Sequence, residues 1–285
     1  MNELFELKDL DELQKLRDLY HRDWPQNCVG YYCLDNFLKW KKKDAQLKNL
    51  RIYSSTKEEG LYVIVDRYQL FVGSLNKDNC ANLRELLMDL DWSKGFKVSS
   101  FLECFRPAVL STVESKNLNL EYDSLTLMYY LSNAEAKLLD VSCPPGFIIK
   151  PLCSTTDADI INSLWPNRHD GSLFLTKRLI DWNINMGIYV ESTNELVAWC
   201  LRLQGGFLGA LQVKDDYKRL GLGAAVARAT SRSIANQGDD VMALVNKDNQ
   251  PSRGMFEKLN FKVTDRCYWL RTYPLIENFK WPENE

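Results

Sequence analysis

The most informative segment of the chain reads Phe207-Leu-Gly-Ala-Leu-Gln-Val213 and then Lys214-Asp-Asp-Tyr-Lys-Arg-Leu-Gly-Leu-Gly223. Its first part has the apolar composition of a strand, and small apolar residues then repeat at helical spacing for about four turns. Glycines at 221 and 223 leave the backbone N–H groups at the start of this helix open to an anion, which the helix dipole favours. Lys218 and Arg219 add positive charge, so the segment predicts a diphosphate site.

A second strand and helix follow about thirty residues after the glycine loop. Val241–Val245 has the composition of a buried strand, and Asn249-Gln-Pro-Ser252 leads into Phe256-Glu-Lys-Leu-Asn-Phe261. A short glycine pattern on its own arises by chance. Preceded by a strand, and followed by a helix over Leu222–Asn236 and by this second motif, it predicts a site for the pyrophosphate and pantetheine of coenzyme A.

These motifs resemble those of the GNAT acyltransferase superfamily, in which an acyl-CoA donates its acyl group to an amine. The superfamily's Arg/Gln-x-x-Gly-x-Gly/Ala loop corresponds to Lys218–Gly223. Its Asn-x-x-Ala/Ser…Tyr-Glu-Lys-x-Gly-Phe segment corresponds to Asn249–Ser252 and Phe256–Phe261. Two residues depart from the pattern: Phe256 replaces a tyrosine that often acts as general acid, and Asn260 replaces a glycine.

The resemblance implies an α/β fold in two parts. Residues 146–285 are expected to form the GNAT domain, a mixed, splayed β-sheet flanked by helices. Residues 1–142 are expected to form a smaller N-terminal α/β domain without a CoA motif, for which a degenerate GNAT-like half is one interpretation. The boundary is placed at Cys143-Pro-Pro-Gly146, because two prolines and a glycine cannot continue a helix or strand.

Both halves alternate strand and helix patterns, which is typical of α/β domains. In the first half, a helix is predicted over Asn82–Asp89, without any chemical motif. In the second half, two strands are predicted to form a hairpin about Thr193-Asn194. The predicted strands are Arg51–Tyr53, Leu61–Val65 and Gln69–Val72 in the first half, and Ile188–Glu191 and Leu196–Leu203 in the hairpin.

Within the superfamily, the chain resembles the glycine N-acyltransferase-like branch over its full length. The segment from Leu164-Trp165 to Lys177-Arg-Leu-Ile180 is similar to one region of that branch, and Asp216-Tyr217-Lys218 stands where the branch has Glu-Tyr-Arg. The resemblance implies a small amine as acceptor, with glycine or another amino acid favoured. Arg168 and Arg178 are the candidates for binding an acceptor carboxylate in a bidentate manner.

The resemblance also assigns CoA contacts to particular residues. Backbone amides of Leu211 and Val213, freed where the strand splays from its neighbour, would bind the pantetheine and the thioester carbonyl. Asn249 would bind the CoA backbone through its side-chain amide, and a helix cap is its alternative role. The other predicted CoA contacts are Lys218, Arg219, Leu220, Gly221, Leu222, Gly223, Ala224, Ser252 and Phe256.

Acyl transfer to an amine needs a base for the ammonium proton and an acid for the leaving thiolate. Asp216 matches the position of the branch's general-base glutamate, and its alternative is an acid solvated at the approach to the helix. Phe256 cannot donate a proton, so Tyr217, Tyr268 and Tyr189 are the candidate acids. Packing roles for these tyrosines, and protonation of the thiolate by solvent, are the alternatives.

Composition argues against several classes of protein. The 285 residues are 45% hydrophobic and 26% charged, with a net charge of −2, so no nucleic-acid partner is expected. No apolar run reaches eighteen residues, so no membrane span is expected. The eight cysteines are scattered and only two histidines are present, so neither a metal site nor a disulfide framework is expected. The acidic N-terminal residues are unlike a secretory signal, which predicts a cytoplasmic location, with the mitochondrion as the alternative.

The sequence leaves three functions open. The first is transfer of an acyl group, acetyl or longer, from acyl-CoA to a small amine by direct attack in a ternary complex. The second keeps the fold but takes a protein or an arylalkylamine as acceptor. The third is a CoA-binding module without catalysis, which Phe256, Asn260 and the aspartate at 216 favour. The acyl chain length, the acceptor and the oligomeric state are left undetermined.

Overall fold

The computed structural model describes residues 4–56 and 58–282, which form two compact units. Of these residues, the first unit comprises 4–56, 58–126 and Asp265–Trp281, and the second comprises Leu127–Thr264 and Pro282. The chain therefore passes between the units inside two strands, β6 (Leu120–Leu131) and β12 (Lys262–Thr272).

The predicted domain boundary at residues 142–146 falls within the second unit of this division. It lies in a segment without helix or strand, after the short helix at Asn133–Ala136 and before the strand that begins at Phe147. The boundary between an independent N-terminal domain and a CoA-binding domain stays a prediction, which limited proteolysis can test.

The first unit combines helices with a mixed sheet. Its strands run in the order β1-β2-β3-β4-β5-β12, in which β4 and β5 are parallel and the other pairs are antiparallel. Its helices are α1 (Leu10–Leu19), α2 (Cys28–Lys43), α3 (Ala81–Asp89) and α4 (Arg106–Ser115), and its other strands are β1 (Leu4–Glu6), β2 (Leu50–Ser55), β3 (Tyr62–Asp66), β4 (Gln69–Gly73) and β5 (Lys97–Leu102).

The second unit contains the glycine loop. Its strands run in the order β6-β11-β10-β9-β8-β7, in which β10 and β11 are parallel and β7 to β10 pair as antiparallel neighbours. Its helices are α5 (Asn133–Ala136), α6 (Ser154–Leu164), α7 (Ser172–Trp182), α8 (Leu222–Asn236) and α9 (Gln250–Lys258), and its other strands are β7 (Phe147–Lys150), β8 (Asn185–Val190), β9 (Leu196–Arg202), β10 (Phe207–Val213) and β11 (Val241–Asn246).

Helix α8 anchors the core of the second unit, and its predicted bounds are confirmed. Its small residues Ala225 and Ala229 are buried, which lets the helix lie close to the sheet. Val226 and Ile234 are fully buried, and each such side chain stabilises the fold by roughly 1.5–3 kcal/mol. Gly238, with a φ of 97°, follows the last turn in the left-handed conformation that commonly ends helices.

Over residues 4–56 and 58–282, no helix combines the length and the apolar character that crossing a membrane requires.

Candidate functional site

Strands β10 and β11 separate soon after they begin. Their parallel register pairs Phe207 with Met242 and Leu208 with Ala243, although the strands continue to Val213 and Asn246. On its other side β10 stays paired with β9 up to Val213, across a bulge between the pairs of Gly209 and Gln212. The two strands thus form a splayed opening within a mixed sheet.

Backbone N–H groups line the β10 side of this opening. The N–H of Lys214 donates to the carbonyl of Val197 on β9 at 2.9 Å. Because successive N–H groups along a regular strand face opposite edges, the N–H of Val213 is directed away from β9, and Leu211 lies in the bulge two residues earlier. The Val213 N–H therefore faces the side on which β11 has separated. The bulge residue Ala210 has a φ of 48°, which is an unfavourable conformation for alanine. Bulges are common next to functional sites.

The glycine loop ends where α8 begins. Gly221 is the N-cap residue of α8, has a φ of 80° and forms no side-chain cap. The helix's backbone bonding starts with the N–H of Ala225, which donates to the carbonyl of Gly221 at 3.1 Å. The N–H groups of Leu222, Gly223 and Ala224 precede that bond, and such groups at a helix start are available to an anion.

The two glycines of the loop differ in the space beside them. A Cβ added to Gly221 would meet nothing within 4 Å. A Cβ added to Gly223 would touch Val213 Cγ2 at 3.5 Å and Met255 Sδ at 3.6 Å, which are ordinary contacts. The bare backbone at Gly221 therefore faces a space that a diphosphate could occupy, and the residues present fit the phosphate end of CoA.

The basic residues of the loop are solvent-exposed. Lys218 Nζ lies 2.5 Å from Asp215 Oδ1, with both side chains largely exposed. An exposed pair of this kind holds its ammonium weakly, so an incoming phosphate can compete for it. Arg219 and Leu220 are also exposed, and Arg219 has a φ of 64°.

Asn249 lies at the start of α9, and Phe256 lies within this helix. Asn249 is the N-cap of α9, and its side-chain oxygen accepts from the N–H of Ser252 at 3.1 Å, so the alternative role foreseen for it is observed. Phe256 is 5% exposed and packs against the rings of Tyr129 and Phe261, at centroid distances of 5.9 and 5.1 Å. The CoA contacts of Asn249, Ser252 and Phe256 stay predictions.

The candidate base and one candidate acid lie between β10 and the glycine loop. Asp216 is exposed in a 3₁₀ turn over Asp215–Tyr217. The Tyr217 hydroxyl donates to Glu195 Oε2 at 3.0 Å, and this bond raises the pKa of Tyr217, which keeps the phenol protonated. The Tyr217 ring also meets Phe147 edge-on at 6.1 Å.

The other candidate acids donate to carboxylates elsewhere. Buried Tyr189 donates to Asp157 Oδ2 at 2.6 Å, and burial, reinforced by this carboxylate, raises the pKa of Tyr189 far above its ordinary value. Tyr268 belongs to the first unit, where its hydroxyl donates to Glu103 Oε1 at 3.1 Å. Burial is the main cause that raises the pKa of Tyr268, and the bond to Glu103 adds to it.

The two arginines proposed for the acceptor differ in exposure. Arg168 is exposed in the loop between α6 and α7, and its Nη1 donates to the carbonyl of Ser163 at 3.2 Å. Arg178 is buried on α7, with its guanidinium 5.2 Å from the ring centre of Phe174. The side chain of Gln212, on the splayed part of β10, donates to the carbonyl of Leu164 at 3.0 Å, which links β10 to the end of α6.

One contact at the site was not foreseen from the sequence. Glu195, at the start of β9, accepts from Lys214 Nζ at 2.9 Å through Oε1 while Oε2 binds Tyr217. The hydrogen bond from Lys214 lowers the pKa of Glu195, and that from Tyr217 contributes. Nineteen residues separate Glu195 from Lys214, and only the pairing of β9 with β10 brings them together.

In the described part of the chain, no group of three or more histidine, cysteine, aspartate and glutamate side chains is placed to hold a metal ion.

Part of the chain matches one family model, and nearly the whole chain is similar to a solved structure. Residues 185–270 match the family model described as FR47-like protein. None of the curated protein sequences matches the chain. The crystal structure of a Drosophila protein is 25% identical over 96% of this chain and 100% of that chain, with a TM-score of 0.86.

Two further structures share the fold at lower identity. A tandem GNAT protein from the clavulanic acid biosynthesis pathway is 13% identical over 95% of this chain and 98% of its own, with a TM-score of 0.57. A GCN5-related N-acetyltransferase from Sphaerobacter thermophilus is 11% identical over 87% of each chain, with a TM-score of 0.52. The predicted fold class, a mixed, splayed sheet flanked by helices, is confirmed.

Proposed function

We propose that this chain, which has the GNAT fold and an FR47-like domain of the GNAT acetyltransferase superfamily, is an acyl-CoA-dependent N-acyltransferase acting on a small amine. The observation that carries the proposal is the splayed opening between β10 and β11 beside the uncapped start of α8. Both are needed at once, since pantetheine requires unpaired strand amides and the diphosphate requires free helix N–H groups.

The residues that hold acyl-CoA divide into two groups. At the phosphate end, the N–H groups of 222–224 and the charges of Lys218 and Arg219 bind the diphosphate. At the thioester end, the N–H groups of Leu211 and Val213 bind the pantetheine and the carbonyl oxygen. A preorganised backbone donor of the second kind contributes roughly 3 kcal/mol to lowering the barrier for acyl transfer.

The loop before α8 supplies the proton transfers. Acyl-CoA, when bound, supplies a thioester whose C–S bond breaks as the bond between carbon and the amine nitrogen forms. Asp216 takes the proton that the amine loses, directly or through a water molecule. Tyr217, protonated in its bond to Glu195 and placed directly before the glycine loop, is the candidate that we favour to give a proton to the leaving sulfur, with Tyr268 or solvent as the alternatives.

Glycine or another amino acid is the acceptor that we favour within the glycine N-acyltransferase-like branch. Arg168 and Arg178 would bind its carboxylate. The bond between Gln212 and Leu164 supports this assignment, because it brings the loop that carries Arg168 to the splayed part of β10. A protein or arylalkylamine acceptor would not need an arginine there, so the acceptor class can be tested directly.

A CoA-binding module without catalysis is the second candidate. Phe256, in the position of the family's tyrosine acid, lies with its ring in the core, and the Tyr217 hydroxyl already has a partner in Glu195. These observations favour a protein that binds CoA but protonates a thiolate poorly.

The decisive experiment combines binding with turnover. CoA is titrated calorimetrically into the protein, and thiol release from acetyl-CoA and longer acyl-CoAs is followed with glycine, other amino acids, a peptide N-terminus and an arylalkylamine. We expect CoA binding, and thiol release that depends on an amino acid. Failure to bind CoA would overturn the proposal, and binding without thiol release for any pair would favour the non-catalytic module.

A further inference from the structure

We infer that Glu195 is a positioning residue, which fixes the segment before the glycine loop and thereby sets the affinity for CoA. The inference rests on the proposed function for its effect on CoA, but its structural part can be measured without any ligand. The side chain of Glu195 joins two segments, the hairpin between β8 and β9 and the loop after β10.

The backbone of Glu195 is itself held firmly. Its carbonyl accepts from the N–H of Val190 at 2.9 Å, and the N–H of Asn194 donates to the carbonyl of Val190 at 2.8 Å, which closes the hairpin. The Asn194 side chain in turn accepts from Lys150 Nζ at 2.5 Å, which ties the turn to β7. The carboxylate of Glu195 therefore projects from a rigid turn.

Each carboxylate oxygen binds a different end of one short segment. Oε1 accepts from Lys214, the residue directly after β10, and Oε2 accepts from Tyr217, the last residue of the 3₁₀ turn. The backbone closes the same segment, since the N–H of Tyr217 donates to the carbonyl of Lys214 at 3.0 Å. Phe147 restrains the Tyr217 ring from the other side.

The glycine loop begins directly after Tyr217, so the position of this tyrosine affects the whole loop. Four residues later Gly221 caps the start of α8, and both Arg219 and Gly221 must hold a positive φ for the N–H groups of 222–224 to be presented together. A loop whose first residue is free has to be ordered at the moment of binding. Ordering one side chain and its segment costs about two- to tenfold in affinity.

The contact with Glu195 gives Tyr217 a role in CoA binding besides that of a candidate acid. As an acid, Tyr217 would act on the turnover rate, whereas as the outer end of the Glu195 contact it would act on CoA binding. The substitution Tyr217→Phe keeps the ring against Phe147 and removes only the hydroxyl. We expect it to raise the Kd for CoA about two- to threefold, a binding effect that calorimetry measures independently of any part Tyr217 has in proton transfer.

The test compares Glu195→Ala with Glu191→Ala. Glu191 is an exposed residue on the same hairpin, so its removal deletes the same charge without touching the loop. In the absence of ligand, hydrogen exchange over residues 214–223 should be several-fold faster in Glu195→Ala than in the parent, and unchanged in Glu191→Ala. The Kd for CoA should rise about three- to tenfold in Glu195→Ala alone.

The variant Glu195→Gln covers the case in which Glu195→Ala folds poorly. It retains an acceptor for Tyr217 and loses the charge opposite Lys214, so its exchange rate should fall between those of the parent and Glu195→Ala. Equal exchange in the parent and both Glu195 variants would overturn the inference. If hydrogen exchange changes as expected in the variants but the parent protein does not bind CoA, the positioning role is supported and the proposed function is refuted.

Discussion

Each unit contains a pair of parallel strands that are paired over only two residues of each strand. In the first unit β4 and β5 pair Gln69 with Lys97 and Leu70 with Val98. In the second unit β10 and β11 pair Phe207 with Met242 and Leu208 with Ala243. A helix connects the strands in both cases, α3 in the first unit and α8 in the second. A short parallel strand pair connected by a helix is therefore present in both units.

The loops that enter the two helices differ. The loop between β4 and α3 contains no glycine, and Cys80 caps α3 at a φ of −97°, where Gly221 caps α8 at 80°. The carboxylate of Glu58, which is 8% exposed, accepts from Ser74 after β4 and from Asn82 in the first turn of α3. A buried negative charge at this helix start disfavours a phosphate.

Side chains also occupy the end of β4 in the first unit. A Cβ on Gly73 would lie 2.5 Å from the ring of Tyr62, which is 1% exposed and packs edge-on against Tyr20 at 5.7 Å. At Gly221 an added Cβ meets open space. Two splayed strand pairs can therefore be followed by very different helix starts, because the residues after β4 bind a carboxylate there and those after β10 leave the backbone bare.

The strongest loss of activity is expected at the third residue after the splayed strand. This residue is Asp216 in the second unit and Asn76 in the first, so Asp216→Asn makes the second loop resemble the first. If Asp216 is the base, the substitution should lower the acyl-transfer rate at neutral pH by about 10²–10⁴-fold and leave the Kd for CoA nearly unchanged. Steady-state kinetics and calorimetry measure the two quantities.

Two controls accompany Asp216→Asn. The loss should shrink as the pH rises, because more of the acceptor amine is then neutral and needs no base. Asp216→Glu should keep substantial activity, since it restores the residue type of the family it resembles. Equal rates for parent and Asp216→Asn from about pH 6 to 9 would dismiss Asp216 as the base.

A second prediction concerns the number of CoA sites. Calorimetry should give one CoA per chain, and Gly221→Glu should weaken it by about 100-fold, because a like charge would face the diphosphate. Gly221→Asn is the matched control, since asparagine tolerates the positive φ without adding charge. In the first unit, Asn79→Asp puts a charge beside α3 and should leave the affinity unchanged. A second site, or an unaffected Gly221→Glu protein that is folded, would contradict the comparison.

A third prediction concerns Lys97. In the first unit Lys97 pairs with the first residue of β4, just as Met242 pairs with the first residue of β10 in the second unit. Burial lowers the pKa of Lys97 from 10.5 to about 8, and its ammonium lies 4.9 Å from the ring centre of Trp269. Between these pH values the folded protein has lost the proton and the unfolded chain keeps it, so the free energy of unfolding rises with pH. Relative to Lys97→Met, the parent should gain up to roughly 3 kcal/mol between about pH 8 and 10.5.

Denaturant titrations at several pH values would measure this gain. Lys97→Arg provides the control, because its guanidinium stays charged throughout the range and its stability should run parallel to that of Lys97→Met. A parent whose stability follows both variants at every pH would show that Lys97 titrates as an ordinary lysine.

The most modest change is expected at the predicted boundary between the two halves. Leu138 is 84% exposed, and the segment that follows it to Gly146 has no helix or strand. Limited proteolysis should cut first between residues 138 and 147. Arg232 Nη1 donates to the carbonyl of Leu139 at 3.0 Å, so Arg232→Met should make this cut a few-fold faster. Mass spectrometry that finds the first cut elsewhere would count against an exposed boundary here.

Much of the second unit could be predicted because its signals are local. Helix α8 has the bounds that its apolar spacing and its glycines predict, and the hairpin turns at Asn194, which has a φ of 58°. The strands at Leu61–Val65 and Gln69–Val72 and the helix at Asn82–Asp89 were also found within one or two residues. Strands β1 and β5 and helix α4 were not predicted, although Pro107 in the first turn of α4 is a helix-start signal.

Other features of the site depend on residues that lie far apart in the chain. The glycine motif predicts an anion site by itself, since helix geometry over a few residues presents its N–H groups. The separation of β10 from β11, the bond from Tyr217 to Glu195 and the burial of Glu58 beside α3 depend instead on strand register and on side chains from other elements. Periodicity within one segment carries no information about such pairings, so the sequence by itself predicts the anion site at the glycine loop, whereas the strand separation and the side-chain contacts around it were decided by packing.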